Sequence, residues 1–293
     1  MKIITEDRNE NTKDIDILST IEMVEKINNE DIKVAYAVKE VLPKIAKAVD
    51  LIVESFKKNG RLLYFGAGTS GRLGVLDASE CPPTFSVKEN MVQGIIAGGD
   101  RALRYAIEGA EDDFELGEQD AQILTSNDVA VLISASGNPK YLIGVSKVAK
   151  EKNTKIIAIT SNDKGKILDD ADVKIAVNVG TEAITGSSRM KSGTAQKMIL
   201  NMLTTASMVK LGKTYENFMI DVKPTNEKLR KRAIQIVVDI CNIDEKTALD
   251  VLKKCNWKVK TAVVMIIKKI DENQANELLI QNQGILRKVI NNG

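Results

Sequence analysis

Short apolar runs alternate with helical spacing over the first two thirds of the chain. Five such runs predict buried strands, at residues 62–66, 92–97, 129–134, 155–160 and 173–177. The segments between them predict helices at 102–110, at 140–152 and from Met190 onward. This alternation is typical of an α/β fold with a mostly parallel sheet that helices cover on both faces.

Both ends of the chain depart from this alternation. Residues 1–15 are polar and predict an extended arm. Helical spacing follows at 17–28 and 34–58, where Pro43 should kink or divide the second helix. The pattern changes around residues 221–226, and from Glu227 onward only helical spacing remains, which predicts a small all-helical C-terminal domain. The predicted organisation is an N-terminal arm with helices (1–50), an α/β domain (51–222) and a helical domain (223–293).

Charge and composition exclude several classes of partner. The 293 residues include 42 Lys and Arg and 40 Asp and Glu, and the net charge of +2 gives no strong field toward nucleic acid or an anionic membrane. No apolar segment is long enough to span a bilayer, and acidic residues stand where a signal peptide would need an apolar run. We therefore expect a cytoplasmic protein without a nucleic-acid or membrane partner.

The chain has no histidine and three widely spaced cysteines, Cys81, Cys241 and Cys255. This cysteine spacing fits neither a disulfide framework nor a zinc site, and no metal is expected. Without histidine, Ser-His-Asp and Cys-His catalysis are excluded. An enzyme with this sequence must use Asp, Glu, Lys, Tyr or Cys for proton transfer near neutral pH.

The strongest local signal is the glycine-rich segment 66–71, which directly follows the first predicted strand. Its glycines let the backbone approach a ligand closely, and Gly68, Thr69 and Ser70 offer N–H groups and hydroxyls to a phosphate. A dinucleotide site would also need an acidic residue at the end of the next strand, whereas Glu89 falls before that strand. A small phosphate ester therefore suits this loop better than NAD, and a glycine-rich turn without a ligand is the alternative.

A second loop of similar chemistry follows the third predicted strand. Ser134, Ser136 and Gly137 lie there, and loops at the carboxyl ends of parallel strands line the ligand crevice of open α/β sheets. Serine–glycine turns are common, so this loop alone is a weak signal. Together with the first loop it indicates a sugar phosphate site.

A third segment, 180–197, combines hydroxyls, glycines and cations at the start of a long helix. Ser187, Ser188, Arg189 and Lys191 are its candidate ligands for a phosphate, because a helix start favours anions through its N–H groups and its dipole. The alternative interpretation makes the two cations solvated surface charges.

Two carboxylates are candidates for acid–base chemistry. Glu80 stands beside Pro82 and Pro83, which predict the end of a helix, and Glu111 lies in an acidic run. Isolated glutamates of this kind are more often surface residues than catalysts. The absence of histidine favours a role in proton transfer for both.

Three long motifs closely resemble those of the N-acetylmuramic acid 6-phosphate etherases. They are Asp-Ala-Ser-Glu-Cys-Pro-Pro-Thr at 77–84, Glu-Gly-Ala-Glu-Asp at 108–112 and Gly-Ser-Ser-Arg-Met-Lys-Ser-Gly-Thr at 186–194. The resemblance extends over nearly the whole chain, from Asn11 through Met265. Several long motifs in the right order are far more specific than a single glycine loop.

The resemblance implies a sugar isomerase (SIS) domain that binds a sugar phosphate at 51–222 and a ubiquitin-associated-like helical domain at 223–293. The implied reaction removes D-lactate from N-acetylmuramic acid 6-phosphate by adding water, which gives N-acetylglucosamine 6-phosphate without a metal or organic cofactor. Glu80 would match the family's acid for the departing lactate, and Glu111 its second catalytic carboxylate. The resemblance also implies a homodimer with the site near the subunit junction.

One departure from the family pattern and two alternative functions remain. The family's second loop usually continues Ser-Gly-Arg-Thr-Pro-Tyr, whereas this chain has Asn-Pro-Lys at 138–140. A non-catalytic sugar phosphate-binding regulator is one alternative, since the glucokinase regulatory protein carries two similar domains in a longer chain. The other alternative is a ketose–aldose isomerase that uses the same proton on carbon 2.

Overall fold

A computed structural model describes residues 6–222, 224 and 226–291, and the chain divides into two compact units. The first unit comprises Met1–Ser79 and Glu89–Thr204, and the second comprises Glu80–Lys88 and Thr205–Gly293. The domain limits at residues 50 and 222 remain a prediction.

The first unit is built on a five-stranded parallel sheet of strand order β2-β1-β3-β4-β5. The strands are β1 (Leu62–Gly66), β2 (Val92–Ile96), β3 (Val129–Ile133), β4 (Lys155–Thr160) and β5 (Val173–Ala176). Leu62 is aligned with Val92 on one side and with Val129 on the other. All five predicted strands are confirmed, and β1 and β3 are buried along their whole length because helices cover the sheet.

In the described part of the first unit, six α-helices begin. They are α1 (Thr20–Lys39), α2 (Leu42–Lys57), α3 (Gly68–Phe85), α4 (Phe114–Asp120), α5 (Lys140–Glu151) and α6 (Lys191–Lys210). The α5 helix packs on the face of the sheet that carries Leu63, Phe65 and Leu132, and this cluster forms a large part of the core. Apolar residues at helical spacing in α5 and alternating residues in the strands explain this packing.

Several predicted helix limits differ from the structure. α1 is continuous to Lys39, and a new helix, α2, begins at Leu42. Pro43 is the second residue of α2, where a backbone N–H has no partner within the helix and its absence costs nothing. The predicted stop at Pro82 and Pro83 is wrong, because α3 continues to Phe85 and the N–H of Ser86 bonds to the Pro82 carbonyl at 3.0 Å.

The predicted helix at 102–110 is also wrong. The structure has short 3-10 turns at Asp100–Leu103 and Ala110–Asp112 in this region, and Phe114–Asp120 forms the helix α4 that the sequence analysis did not predict. Gly99 and Gly109 adopt positive φ angles of 68° and 76° before the two turns, which a helix cannot accommodate.

The N-terminal arm is not extended within the described residues. Glu10–Thr12 and Ile15–Ile17 form 3-10 turns, and the side chains of Asn9 and Thr12 are buried. Hydrogen bonds from side chains to a distant loop replace the solvent contacts that an extended polar arm would have. Residues 1–5 of the predicted arm lie outside the described residues.

Within its described residues, the second unit contains a two-stranded antiparallel hairpin and five α-helices. These elements are β6 (Thr214–Tyr215), β7 (Phe218–Met219), α7 (Glu227–Cys241), α8 (Glu245–Lys254), α9 (Val259–Lys268), α10 (Glu272–Gln281) and α11 (Leu286–Asn291). Apolar side chains of all five helices form its core, among them Val237, Leu252 and Val263. The all-helical character after Glu227 is confirmed, whereas the hairpin was not predicted. No helix in the described part of the chain has both the length and the apolar character needed to cross a membrane.

Candidate active site

The order of the strands brings two of the predicted loops together. The chain passes from β1 outward to β2 and then returns to β3 on the other side of β1, so the loops after β1 and β3 meet at a topological switch point. A cavity of about 290 Å³ opens there. Its lining residues are Glu6, Ala67, Gly68, Thr69, Ser70, Glu111, Ile133, Ser134, Ala135, Ser136, Pro139 and Ser188.

The first loop presents the start of α3 to this cavity. A Cβ atom at Gly71 would lie 2.5 Å from the carbonyl oxygen of Gly66, so only glycine lets the first turn of α3 pack against the end of β1. The first N–H groups of a helix have no partner within it, and here Gly68, Thr69 and Ser70 line the cavity. The start of α3 therefore presents to the cavity the kind of helix N–H groups that suit an anion such as phosphate.

Ser70 is linked to the buried side chain of Gln196. Its Oγ donates a 3.0 Å hydrogen bond to Oε1 of Gln196, while Nε2 of Gln196 has no hydrogen-bond partner among the described residues. A half-turn of the amide would let Nε2 donate to Ser70 instead. The hydroxyl hydrogen of Ser70 would then be free for a ligand oxygen, and the buried Nε2 donor would be satisfied.

In the second loop, the hydroxyl groups of two serines accept hydrogen bonds from backbone N–H groups of the same loop. The Oγ of Ser134 accepts the N–H of Gly137 at 3.0 Å, and the Oγ of Ser136 accepts the N–H of Asn138 at 3.3 Å. The two hydroxyl oxygens are 3.4 Å apart, so at most one of them donates to the other. At least one hydroxyl hydrogen therefore remains for a ligand.

Gly137 shapes the second loop without lining the cavity. It has a positive φ of 74°, and a Cβ atom there would lie 2.7 Å from the Cα of Gly165. Only glycine fits such a backbone conformation at such close range. Its predicted role in binding is therefore supported only through the shape of the loop.

The start of α6, in the third segment, was expected to bind a phosphate, but its N–H groups donate to a side chain of the protein itself. The carboxylate of Glu182 is fully buried and accepts the N–H groups of Lys191 at 2.8 Å and Ser192 at 2.9 Å. The anion at this helix start is thus the chain's own. Ser188 lines the cavity, whereas Ser187 and the exposed Arg189 do not.

Lys191 is committed to a buried ion pair with Glu30 of α1. Its Nζ lies 2.6 Å from Oε2 of Glu30. Burial by itself would raise the pKa of Glu30, but hydrogen bonds from Lys191, Lys33 and Asn11 outweigh it and lower the pKa to about 2. The predicted role of Lys191 in phosphate binding is not reflected in the lining of the cavity.

The cavity contains two carboxylates, of which the sequence analysis identified one. Glu111 lies in the 3-10 turn Ala110–Asp112, directly after the left-handed Gly109, and lines the cavity. Glu6 of the N-terminal arm lines it as well. Glu80 is exposed near the end of α3, in the part of the chain that belongs to the second unit, and is not a lining residue.

The structure therefore gathers seven predicted site residues around one cavity. They are Gly68, Thr69, Ser70, Ser134, Ser136, Ser188 and Glu111. Sequence reasoning missed Glu6, because a polar residue in a polar arm carries no periodicity or motif signal. Among the described residues, no group of three or more Cys, Asp or Glu is placed to hold a metal ion.

Family profiles identify the class of the first unit. The N-terminal SIS domain of the glucokinase regulatory protein matches residues 44–150, and the SIS domain matches residues 104–206. The parallel sheet with its hydroxyl-lined cavity at the switch point is therefore a SIS domain, as predicted.

Curated relatives then identify the family. The N-acetylmuramic acid 6-phosphate etherase of Glaesserella parasuis serovar 5 (strain SH0165) is 52% identical over 285 residues, which cover 97% of this chain and 94% of that protein. The etherase of Vibrio campbellii (strain ATCC BAA-1116) is 51% identical, with coverage of 98% and 94%, and that of Yersinia pestis (strain Pestoides F) is 50% identical, with 98% of both. The chain belongs to the N-acetylmuramic acid 6-phosphate etherase family, which confirms the resemblance seen in its motifs.

Solved structures support the same fold. The phosphoheptose isomerase GmhA from Neisseria gonorrhoeae matches with a TM-score of 0.51 and 20% identity, over 64% of this chain and 98% of that chain. The E. coli CFT073 protein c3406 matches with a TM-score of 0.51 and 18% identity, over 68% of this chain and 96% of that chain. At such identities these structures establish the SIS fold alone.

Proposed function

We propose that this protein cleaves the D-lactyl ether of N-acetylmuramic acid 6-phosphate and, by adding water, releases D-lactate and N-acetylglucosamine 6-phosphate. The observation that carries the proposal is one cavity in which Glu111 accompanies hydroxyls and helix N–H groups suited to a phosphate. Relatives at about 50% identity over nearly the full chain carry the name of this enzyme. The proposed reaction uses neither a metal nor an organic cofactor.

The proposed chemistry is an elimination followed by a hydration. In the ring-opened sugar the aldehyde acidifies the proton on carbon 2, and a base removes it. The lactate oxygen on carbon 3 leaves as an acid protonates it, and a double bond forms between carbons 2 and 3. Water then adds, so that its oxygen bonds to carbon 3 and a proton returns to carbon 2.

Two carboxylates suffice for this route. We assign Glu80 as the acid for the departing lactate and Glu111 as the second proton-transfer group, in line with the family motifs at 77–84 and 108–112. The phosphate is assigned to the start of α3, with Thr69, Ser70 and the serines of the second loop as donors. Ser187, Arg189 and Lys191 remain predicted ligands on the third segment.

We also propose that the active form is a cytoplasmic homodimer with its sites near the subunit junction. The N-terminal helices leave a series of large apolar side chains exposed, namely Ile17, Ile21, Val24, Ile32 and Tyr36. An apolar face of this kind is unfavourable in water and suits a contact with another protein surface. A second copy of the chain is the occupant that the family resemblance implies.

The decisive experiment measures D-lactate release from N-acetylmuramic acid 6-phosphate in water labelled with oxygen-18. Release of lactate with label at carbon 3 of the sugar supports elimination and hydration. Label in the lactate would mean that a different bond is cut. A folded protein that binds the sugar phosphate but releases no lactate would be a sugar phosphate-binding regulator instead.

A further inference from the structure

Glu6 brings a second carboxylate into the cavity that contains Glu111. It lies beside the third segment, since a Cβ atom at Gly186 would be 3.2 Å from Oε2 of Glu6. Across the ranges that the structure describes, neither Glu6 nor Glu111 has a hydrogen-bond or ion-pair partner for its carboxylate. Both groups are therefore available to a ligand.

The arm that carries Glu6 is held by hydrogen bonds a few residues further along the chain. Nδ2 of Asn9 donates to the carbonyl of Thr181 at 3.1 Å, and Oγ1 of Thr12 donates to the carbonyl of Ala183 at 2.8 Å. The side chains of Asn9 and Thr12 are only 5% and 6% exposed, so water competes little for these bonds. The arm is thus docked on the segment that also brings Ser188 into the cavity.

Charge decides which part of a ligand faces Glu6. Among the described residues, those that line the cavity include two glutamates but neither a lysine nor an arginine. Carboxylates repel a phosphate, which is better placed at the start of α3. The carboxylates must then face the sugar, whose hydroxyl and amide N–H groups are hydrogen-bond donors. An ionised carboxylate is an acceptor only and bonds such donors strongly.

We infer that Glu6 is a substrate-binding residue whose carboxylate accepts hydrogen bonds from hydroxyl or amide N–H groups on the sugar part of a sugar phosphate. The inference deepens the proposed function and rests on it for the class of ligand. It makes the N-terminal arm a part of the site. Proton transfer stays with Glu80 and Glu111 in this assignment.

The test compares two probes by isothermal titration calorimetry, N-acetylglucosamine 6-phosphate and inorganic phosphate. Glu6→Gln keeps the shape of the side chain but loses the charge and one acceptor, and should weaken binding of the sugar phosphate about tenfold or more. Inorganic phosphate should bind the variant as tightly as the wild type or more tightly, because a nearby negative charge is gone. A merely structural role would weaken both probes together.

Two further variants complete the experiment. Glu10→Gln is the matched control, since Glu10 is an exposed carboxylate of the same arm that pairs with Lys13 at 2.5 Å, and it should bind both probes like the wild type. Thr12→Val removes the bond to Ala183 and should weaken sugar phosphate binding as Glu6→Gln does. The double variant of Glu6 and Thr12 should lose little more than the larger single loss, because both changes remove the same contact.

Clear results would overturn the inference. They are sugar phosphate binding by Glu6→Gln within twofold of the wild type, an equal loss of both probes, or an equal loss in Glu10→Gln. Wild-type protein that fails to bind the sugar phosphate would overturn it as well. Because these titrations need no turnover, a wild type that binds but releases no lactate would reject the proposed reaction and leave the role of Glu6 intact.

Discussion

The ammonium of Lys191 donates a 2.6 Å hydrogen bond to the carboxylate of Glu30, although 161 positions separate the two residues in the chain. Their side chains are 2% and 3% exposed. Glu30 also accepts a 3.0 Å hydrogen bond from Asn11 of the arm and pairs with Lys33. One buried carboxylate thereby joins α1, the arm and the start of α6.

Lys191→Met should destabilise the protein by about 3–5 kcal/mol, because it leaves the Glu30 carboxylate buried without its main partner. The measurement is the free energy of unfolding in urea at pH 7. Lys33→Met is the matched control, since its side chain is 51% exposed and such a pair contributes at most about 1 kcal/mol. A Lys191→Met protein with wild-type stability but weakened phosphate binding would show instead that Lys191 serves the ligand.

The low pKa of Glu30 makes part of the stability depend on pH. Its pKa is about 2 in the folded protein against an ordinary value of 4.5, so the unfolded chain binds the proton first as pH falls. The stabilisation is complete above pH 4.5 and disappears as pH falls toward 2. Between pH 5 and pH 3 this group should remove about 2 kcal/mol of the free energy of unfolding.

Urea unfolding at the two pH values, with Glu30→Gln as the comparison, measures this contribution. The variant should lose about 2 kcal/mol less than the wild type over the interval, since its side chain does not titrate. Equal losses in both proteins would assign the acid sensitivity to other carboxylates.

The sheet and its loops could be predicted because their signals are local. Leu62–Gly66 and Lys155–Thr160 are short apolar runs between turn residues, and both strands have the predicted limits. Once the sheet is parallel, the loops after β1 and β3 must lie at the same edge, which places Ser70 and Ser134 around one cavity. Local sequence and simple topology therefore suffice to predict the part of the cavity to which we assign the phosphate.

The rest depends on contacts between distant parts of the chain. The side chain of Asn9 donates a hydrogen bond to the carbonyl of Thr181, 172 positions away in the chain. The hydrophobic periodicity of neither segment predicts this hydrogen bond. From the sequence, Lys191 is interpreted as a surface cation or a phosphate ligand, because its ion pair with the distant Glu30 is visible only in the structure. The polar arm is ordered by such side-chain bonds rather than by apolar burial, which is why hydrophobic patterning predicted it as extended.

Gln196→Glu should weaken binding of inorganic phosphate about tenfold or more. In the turned orientation of the amide, Nε2 of Gln196 donates to Ser70 and leaves its hydroxyl hydrogen to the ligand. A carboxylate can only accept, so it excludes that orientation, keeps the hydroxyl hydrogen directed at itself as in the bond of Ser70 to Gln196 Oε1, and adds a negative charge near the proposed phosphate position. The dissociation constant from calorimetry is the readout, with thermal melting as the check on folding. Gln196→Met removes the hydrogen bond without adding charge, and its affinity for inorganic phosphate should fall less than that of Gln196→Glu. An equal or greater fall in Gln196→Met would argue against a hydroxyl hydrogen of Ser70 that points to the ligand.

Ile21→Asp and Tyr36→Asp should each convert the proposed dimer to a monomer, because they place a charge on the exposed apolar face of α1. Sedimentation velocity measures the change in molecular mass. Glu54→Lys, on α2, is the control for a charge change on an exposed polar position of another helix, and it should leave the dimer intact. A wild-type chain that sediments as a monomer of 32.1 kDa at micromolar concentration would refute the dimer.

Glu111→Gln and Glu80→Gln should each lower the rate of lactate release at least about 100-fold, since a positioned proton-transfer group typically contributes roughly 100- to 10,000-fold. The binding of N-acetylglucosamine 6-phosphate should change far less than the rate, because Thr69 and Ser70, the proposed phosphate ligands, are untouched. Single-turnover kinetics under saturating enzyme separates the chemical step from binding.

Glu108→Gln provides the matched control for Glu111, because Glu108 is an exposed carboxylate three residues earlier that does not line the cavity. Its rate should stay within about twofold of the wild type, far from the loss expected for a proton-transfer group. If Glu111→Gln is slow and Glu80→Gln has a near-normal rate, Glu80 leaves the mechanism and Glu6 becomes the other carboxylate of the cavity to test as the acid. If Glu111→Gln itself releases lactate at a near-normal rate, the carboxylate in the cavity is a binding group and the proposed proton transfer through it is wrong.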